Sequence, residues 1–562
     1  MRLRDRRRTA PASNRLVRLI AACSFGYLIG EPVATQNCEG IAFPIGCSHQ
    51  GGARIVGGMI QQDPDCFDIC VIGGGASGAV SAAELVRTGL RVLLLEEGDL
   101  KRARRMGDVE PEWPRAYIVQ DGIRNELGRP WSARGMGGGT AFYAGISFRY
   151  RHVDFDAGDH VAADALNPKW PISYDDLLPY YDEIERRIGI ARDDTDPLAP
   201  PGPAALMPAH PPSLPGSLLA DAGRTIGLRP FPTPLAINSI PYGGRPQCAR
   251  LTPCNEYACP TGARADAAAL FLEPLRTAEN LVIAASSRAL RLELSGPDRV
   301  GWVEWLDPAT KSRRRTRVGL VILAANAVQS SALLLRSAQR WAPAGLGNRH
   351  DMVGRGLSFK VSGSVEGRLP VPRNRINTPT GPHSTVAFSD HYLDPDCPSG
   401  LGGMMYEASP EQRGPSNGRI VVRMHFVAGD QPMRANRVRL ARELDEFGVP
   451  RIAIDYVTHP TDAERLHYLE KRATEIMVAA GASDTTYLES EYERGSRHLQ
   501  GGCRAGDDPA DSVVDAAGRI HDLANVYVVD GGYFPFAGGV NPTMTIQANS
   551  LRIIRQLTAG NF

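Results

Sequence analysis

Gly73, Gly75 and Gly78 stand in GxGxxG spacing, and the acid Glu96 follows Gly78 by 18 residues. These four residues suit one kind of chemistry. Gly73 permits a tight turn, Gly75 lets backbone approach a pyrophosphate, Gly78 allows a helix to pack closely on a strand, and Glu96 offers a carboxylate to ribose hydroxyls. An acid in that place disfavours a 2'-phosphate. Ala76 and Ser77 lie inside the glycine turn, ahead of a helix whose unpaired N–H groups face phosphate.

The elements that must hold these residues surround them in order. The apolar run 68–72 has the length and branching of a buried parallel strand. A helix is expected over about 79–88, ending at Gly89, a natural left-handed cap, and a second buried strand at 91–95 delivers Glu96. A lone glycine signature is weak, but strand, turn, helix, strand and acid in register predict a dinucleotide site.

At 562 residues the chain exceeds one ordinary core, so two or three structural units are expected. The net charge is +1, but residues 1–58 hold eight Arg against three acids, leaving 55 basic and 59 acidic residues beyond them, a net of −4. That balance argues against nucleic acid as a partner and suits a cationic small molecule. The first 30 residues resemble an export signal, with a basic stretch and a short apolar segment that Arg18 interrupts. The run 19–30 falls short of the ~20 residues of a membrane helix, and no later stretch qualifies. The expectation is that residues 1–64 are an extension or a mis-assigned start ahead of a cytoplasmic enzyme, with export as the alternative.

Cys248, Cys254 and Cys259 cluster with Cx5Cx4C spacing, which matches no usual zinc pattern. Three thiols hold an iron–sulfur cluster only with help, so packing thiols and no metal are expected. Cys66 and Cys70 are expected in the core of the first strand.

Residues 101–140 are polar and lead into ARGMGGGTAFYAG at 133–145, where Gly137, Gly138 and Gly139 before Thr140 suit close approach of backbone to a phosphate or a flavin ring. A surface helix is expected near 170–190 behind the cap-like Ser173, and a Pro-rich linker at 195–216. Runs at 281–294, which includes Ala289, and at 319–325 return the chain to the nucleotide sheet, followed by a helix at 328–337. Between about 358 and 485, strands such as 419–426 and 451–456 precede a helix at 461–480, predicting an inserted antiparallel sheet with helices. A strand at 526–529 then precedes Asp530-Gly531, and 538–541 open a helix to about 557. The expected fold class is α/β, a Rossmann-like dinucleotide-binding domain (65–357 and 488–562) with an inserted α+β substrate domain (358–487).

The separated motifs GMGGGT at 135–140, WPISYDDLLPYY at 170–181, VILAANAVQSSALLL at 321–335, HLQGGCRAGDDP at 498–509 and VYVVDGGYFPFAGGVNPTMTIQA at 526–548 resemble, in that order, the glucose-methanol-choline (GMC) oxidoreductases. The resemblance covers roughly residues 65–560. It implies a flavin enzyme that oxidises alcohols with FAD. Within the family, GGGTAFYAGISFRYRHVDFDAG and SRHLQGGCRAGDDPADSVVD are similar to oxidases of aminoglycoside antibiotic biosynthesis. These convert the 6'-hydroxymethyl of an intermediate such as paromamine to an aldehyde that an aminotransferase then aminates.

Alcohol oxidation of this kind needs a base for the hydroxyl proton, and imidazole is poised for that near neutral pH. The resemblance places His498 in that role, although Gly502 replaces the family's Thr. It places Asn541 as the partner that orients the substrate oxygen. Asn541 is equally compatible with an N-cap role, with Pro542 at the first helical position. The resemblance further assigns Gly137, Gly138, Gly139, Thr140, Ala289, Asp530, Gly531, Asn541, Pro542, Thr543 and Met544 to the FAD site. Tyr143 stands where many relatives carry Asn. No His occurs in 135–145, so FAD is expected to be non-covalent. Dioxygen is the expected acceptor. The alternatives are a dehydrogenase passing electrons to another acceptor near Cys248 to Cys259, a non-catalytic flavin subunit, and a nicotinamide enzyme. Glu407, Asp390 and His425 are polar residues in the substrate segment that ordinary solvated positions explain as well.

Overall fold

The computed structural model describes residues 55–56, 59–60, 66–99, 116–120, 123–125 and 133–560, apart from gaps at 252–253, 256, 308–309, 409–414 and 490–497. The basic and apolar leader lies outside the described residues.

Both faces of the strand Cys66–Ile72 are covered: Ile69, Cys70 and Val71 are fully buried. An apolar run without alternation is what a central parallel strand requires. It pairs in parallel with Val92–Leu95 on one side and Ser312–Leu323 on the other. Outside these lie Leu281–Ala284, against Val92–Leu95, and Val526–Val528, against the last residues of Ser312–Leu323. In chain order the parallel strands therefore run 3-2-1-4-5, and the nucleotide motif sits at the centre of the sheet. The first half of Ser312–Leu323 changes partner and runs antiparallel to Val300–Asp307, which pairs with Arg288–Leu294. The run at 281–294 is thus two strands, placed at opposite ends of the strand order.

The helix Ala76–Leu85 begins three residues earlier than the sequence predicts, because Gly75 is itself the extended N-cap residue. A 3-10 turn at Val86–Thr88 carries the chain to Gly89, which is left-handed at φ 76°. Two other helix starts also shift: the helix after Ser312–Leu323 is Ala327–Arg336, and the last one is Thr543–Ala559.

The six-stranded antiparallel sheet runs Thr485–Glu489, Val361–Pro370, Arg419–Ala428, Gly403–Ala408, Val386–Phe388 and Phe231–Pro232. Helix Pro460–Ala479 lays Leu469, Ala473, Ile476 and Met477 into one core with Val365, Leu369, Val422 and Met424. The strand expected at 451–456 does not join this sheet. Pro450–Tyr456 pairs with Arg437–Leu444 and, in parallel, with Ala116–Gln120, and Ile123–Asn125 completes a separate four-stranded sheet. The pattern of Pro450–Tyr456, with Ile452, Ala453 and Ile454 fully buried, dictates a covered strand but says nothing of its partner. The polar segment 101–140, in which no strand was expected, supplies the other two strands.

Helix Tyr174–Ile188 starts in a capping box in which Ser173 and Asp176 each accept from the other's backbone N–H. It is more than a surface helix: Tyr174, Leu177, Tyr181, Ile184 and Ile188 are buried. The Tyr181 hydroxyl meets Thr545 Oγ1 at 2.7 Å, and Glu183 pairs with Arg555. This fastens the helix to Thr543–Ala559. Among the described residues no helix is long and apolar enough to cross a membrane.

Candidate functional site

A cleft opens at the carboxyl ends of the parallel strands, where a doubly wound sheet takes its ligands. Of the residues expected there, Gly73, Gly75, Ala76, Ser77, Glu96, Gly138, Gly139, Thr140, Ala289, Asp530, Gly531, Pro542 and Thr543 line it, and His498 stands at its wall. Gly78, Gly137, Asn541 and Met544 do not line it; Met544 is buried in the core. Gly78 is a packing glycine: a Cβ there would lie 1.8 Å from the Gly73 carbonyl oxygen. Gly137, at φ 89°, would place one 2.4 Å from Asp266 Oδ1. By contrast, a Cβ on Gly75 would meet only Gly138 Cα at 3.9 Å, and one on Gly139 nothing within 4 Å. At those two positions bare backbone faces the cleft.

Glu96 organises the turns around it. Its Oε2 accepts from Gly74 N at 2.7 Å and its Oε1 from Gly98 N at 2.8 Å and Gly135 N at 2.9 Å. Burial raises its pKa above the usual carboxylate range, while the three N–H groups pull it down. Three N–H groups leave one of the carboxylate's four acceptor sites, on Oε2, so a ribose contact is compatible with this second task. Thr140 Oγ1 donates to Gly137 O at 2.6 Å and accepts from Ala267 N at 2.9 Å, which fixes the glycine turn.

Asp530 is buried, accepts from Ser330 Oγ at 2.6 Å and Gly532 N at 2.8 Å, and burial pushes its pKa up to about 6. Its neighbour Asn326 is a residue that the sequence reading missed. At φ 76° it takes a backbone conformation rare outside glycine, and its Oδ1 caps helix Ala327–Arg336 by accepting from Val328 N and Gln329 N. Asn326, Gln329, Arg134 and Arg336 all line the cleft. The strand-Ala-Ala-Asn-helix order in 321–335 was the available signal for Asn326, since Asn is a preferred N-cap.

At one end of the cleft His498 Nε2 and Asn541 Nδ2 stand 3.2 Å apart. With the amide nitrogen as donor, Nε2 is the acceptor and carries the lone pair that a base requires. Asn541 Oδ1 is buried with no protein partner among the described residues. The N-cap role anticipated for Asn541 is not found. Pro542 takes the N-cap position with αR backbone, no side chain caps the helix, and Ile546 N bonds to Pro542 O at 2.9 Å. The carboxamide is thereby left to face His498.

The remaining candidates lie apart from this pair. Tyr143 packs beside the Arg264 guanidinium, 5.8 Å from its ring centroid. Cys248 accepts from Arg250 N, Cys254 donates to Leu251 O, and Cys259 contacts Thr261 Oγ1, all within the 248–261 loop. Asp390 pairs with the exposed Arg229, and His425 bonds Ser364. Glu407 departs from the solvated position expected of it: it is fully buried, with Thr385 Oγ1 at 2.9 Å and the Ser213 hydroxyl donating to it.

The geometry fits a dinucleotide with a redox ring. Two open glycines and the start of helix Ala76–Leu85 can cradle phosphates, Arg134 and Arg336 supply cations, and the imidazole, the orphaned Asn541 oxygen and the start of helix Thr543–Ala559 gather at the far end.

Known proteins agree with this architecture. Two family profiles, both described as GMC oxidoreductase, match residues 67–361 and 432–550. The chain is 44% identical to 6'''-hydroxyparomomycin C oxidase of Streptomyces lividus over 92% of its length and 95% of that protein's. It is also 44% identical to paromamine 6'-oxidase of Streptomyces fradiae, over 91% and 93%. Among solved structures, pyridoxine 4-oxidase from Mesorbium loti superposes with a TM-score of 0.63 at 22% identity, over 88% of this chain and 99% of that one, a likeness of fold. With both profiles matched and two relatives aligned along almost their whole length, the chain belongs to the GMC oxidoreductases, a family of flavoproteins.

Proposed function

We propose that the chain is an FAD-dependent alcohol oxidase that converts the 6'-hydroxymethyl group of an aminoglycoside intermediate such as paromamine to the aldehyde. The observation that carries the chemistry is the His498–Asn541 pair at 3.2 Å, with an unsatisfied amide oxygen beside it. The substrate class rests on the two oxidases that share 44% of their residues with the chain over nearly full length.

FAD, held without a covalent link by the cleft from Gly73 to Thr543, would supply a ring able to accept a hydride. His498 Nε2 takes the hydroxyl proton as the carbinol carbon gives up its hydrogen. Asn541, which cannot act as a base, holds the substrate oxygen as alcohol and then as carbonyl. The amino terminus of helix Thr543–Ala559 favours negative charge developing near it. Dioxygen takes up the two electrons and two protons as hydrogen peroxide. The aldehyde released is the substrate type an aminotransferase consumes.

Anaerobic titration of the purified, yellow protein tests this. Paromamine should bleach the flavin band near roughly 450 nm, and admitting oxygen should restore it with release of peroxide. His498→Ala should slow the bleaching by ~10²-fold or more. Bleaching by glucose but not by paromamine would overturn the substrate. Turnover that required an added quinone would overturn the oxidase assignment.

A further inference from the structure

Lys360 is 3% exposed, and among the described residues no carboxylate forms a hydrogen bond or ion pair with it. Its Nζ donates instead to two backbone carbonyls, those of Gly538 and Val540, immediately before Asn541. Asp154 and Asp430 act on the ammonium only through space, and burial brings its pKa down to about 7. An apolar side chain would fill the same volume without this desolvation cost. What the ammonium adds is a pair of charge-assisted bonds to one short loop.

The position of Lys360 on the chain gives those bonds a direction. Ser358 exchanges both backbone hydrogen bonds with Gln500, Ser358 N to Gln500 O at 2.9 Å and Gln500 N to Ser358 O at 3.1 Å. The Gln500 amide reaches back to the His498 carbonyl at 3.4 Å and accepts from Tyr150 Oη at 2.6 Å. Asp430 fixes the same segment by accepting from Phe359 N at 2.9 Å. Lys360 then takes a left-handed backbone, φ 62°, uncommon for a residue with a side chain, and its Nζ lies 5.2 Å from the Tyr150 ring centroid. Residues 358–360 therefore bridge the two arms of the site: backbone bonds to the arm carrying His498, and an ammonium on the loop carrying Asn541. On the same loop Gly539 N donates to Tyr392 Oη at 2.9 Å, and that hydroxyl donates to Asp154 at 2.7 Å.

We propose that Lys360 is a positioning residue that holds the Asn541 carboxamide against His498 by clamping the carbonyls of Gly538 and Val540. The proposal rests on the catalytic roles given above to His498 and Asn541. It predicts that Lys360 acts on turnover only through Asn541.

The test is a double-mutant cycle on the flavin-loaded enzyme with Lys360→Met, Asn541→Ala and both together, with flavin content and thermal unfolding measured alongside. Lys360→Met is expected to bind flavin and substrate normally, with KM within about 3-fold of wild type and kcat down by about 10- to 100-fold, as for a small misplacement of a reacting group. In the Asn541→Ala background the same change should alter kcat by less than about 2-fold, because the interaction it supports is already gone. Equal losses in both backgrounds overturn the proposal, as does a folded, yellow Lys360→Met enzyme whose kcat stays within about 2-fold of wild type. If neither Lys360→Met nor Lys360→Gln yields folded protein, Lys360 is a folding residue and the proposal also fails. A wild-type protein that is colourless and inert toward alcohols would overturn the proposed function itself. A yellow, active wild type beside an unaffected variant would overturn only the role of Lys360.

Discussion

Glu96 in the nucleotide cleft and Glu407 in the six-stranded sheet are both enclosed carboxylates whose pKa burial raises, yet they are held in opposite ways. Glu96 is held by backbone alone, the N–H groups of Gly74, Gly98 and Gly135, the farthest 39 residues away. Glu407 depends on side chains as well: the hydroxyl of Thr385 and that of Ser213, which lies 194 residues distant and caps helix Leu214–Thr225. The cleft is built so that bare backbone reaches a ligand. The sheet buries polar side chains to lock long-range contacts. A substitution in the first region should therefore act through steric access to backbone, and one in the second through charge and hydrogen bonding.

The harshest way to break this contrast is at Gly78. With a Cβ only 1.8 Å from the Gly73 carbonyl oxygen, Gly78→Ala must push helix Ala76–Leu85 off its strand. We expect a loss of about 3 kcal/mol or more in urea unfolding together with loss of bound flavin. Normal stability with normal flavin content would show that the turn is softer than its packing implies.

Glu407 gives the next largest effect, and it depends on pH. Its folded-state pKa is pushed up to about 7 by burial, which outweighs the donors from Ser213, Thr385 and Ser384. Between its ordinary value and about 7, the folded chain binds a proton that the unfolded chain has released. Stability from this group is therefore full below that window and falls as pH rises through it, by on the order of 3 kcal/mol. Glu407→Gln, which keeps the shape without the charge, should flatten that slope in unfolding midpoints recorded from pH 4.5 to 8. An unchanged slope would assign the effect to other groups, of which the buried Asp530 is the first to test.

This difference also explains what could be read from the sequence. The first strand-helix-strand unit of the parallel core and its glycine turn were legible because short-range spacing encodes them: Gly73, Gly75, Gly78 and Glu96 lie within that one unit, whereas the 3-2-1-4-5 order of the whole sheet is visible only in the fold. His498 and Asn541 were found through separated motifs, and their contact across 43 residues is visible only in the fold. Pro450–Tyr456 announced a strand but not its pairing with Ala116–Gln120, because burial on both faces fits the middle of any sheet. Lys360 and Glu407 were illegible for a stronger reason. A single charged residue between apolar neighbours reads as a solvated position, and only the tertiary structure brings it the carbonyls or hydroxyls that make burial tolerable.

The mildest change sharpens the contrast most, because it separates a glycine that packs a helix on its strand from one that borders the cleft. Gly139 is exposed in the turn Gly138–Ala141, and a Cβ built on it meets nothing within 4 Å. Without a positive φ to forbid a side chain, Gly139→Ala should leave stability within about 0.5 kcal/mol of wild type, and the lower backbone entropy of the unfolded chain could even raise it. The new methyl group would nevertheless project into the space assigned to the cofactor. Flavin affinity should fall by about 10-fold, roughly 1.4 kcal/mol, measured as the rate and extent of flavin loss on dilution while the thermal midpoint of the flavin-free protein stays unchanged. Undiminished flavin retention in Gly139→Ala would mean that this turn borders the cleft without touching what binds there. The contact surface would then have to be sought at Gly75 and Ala76, on the other turn that lines the cleft.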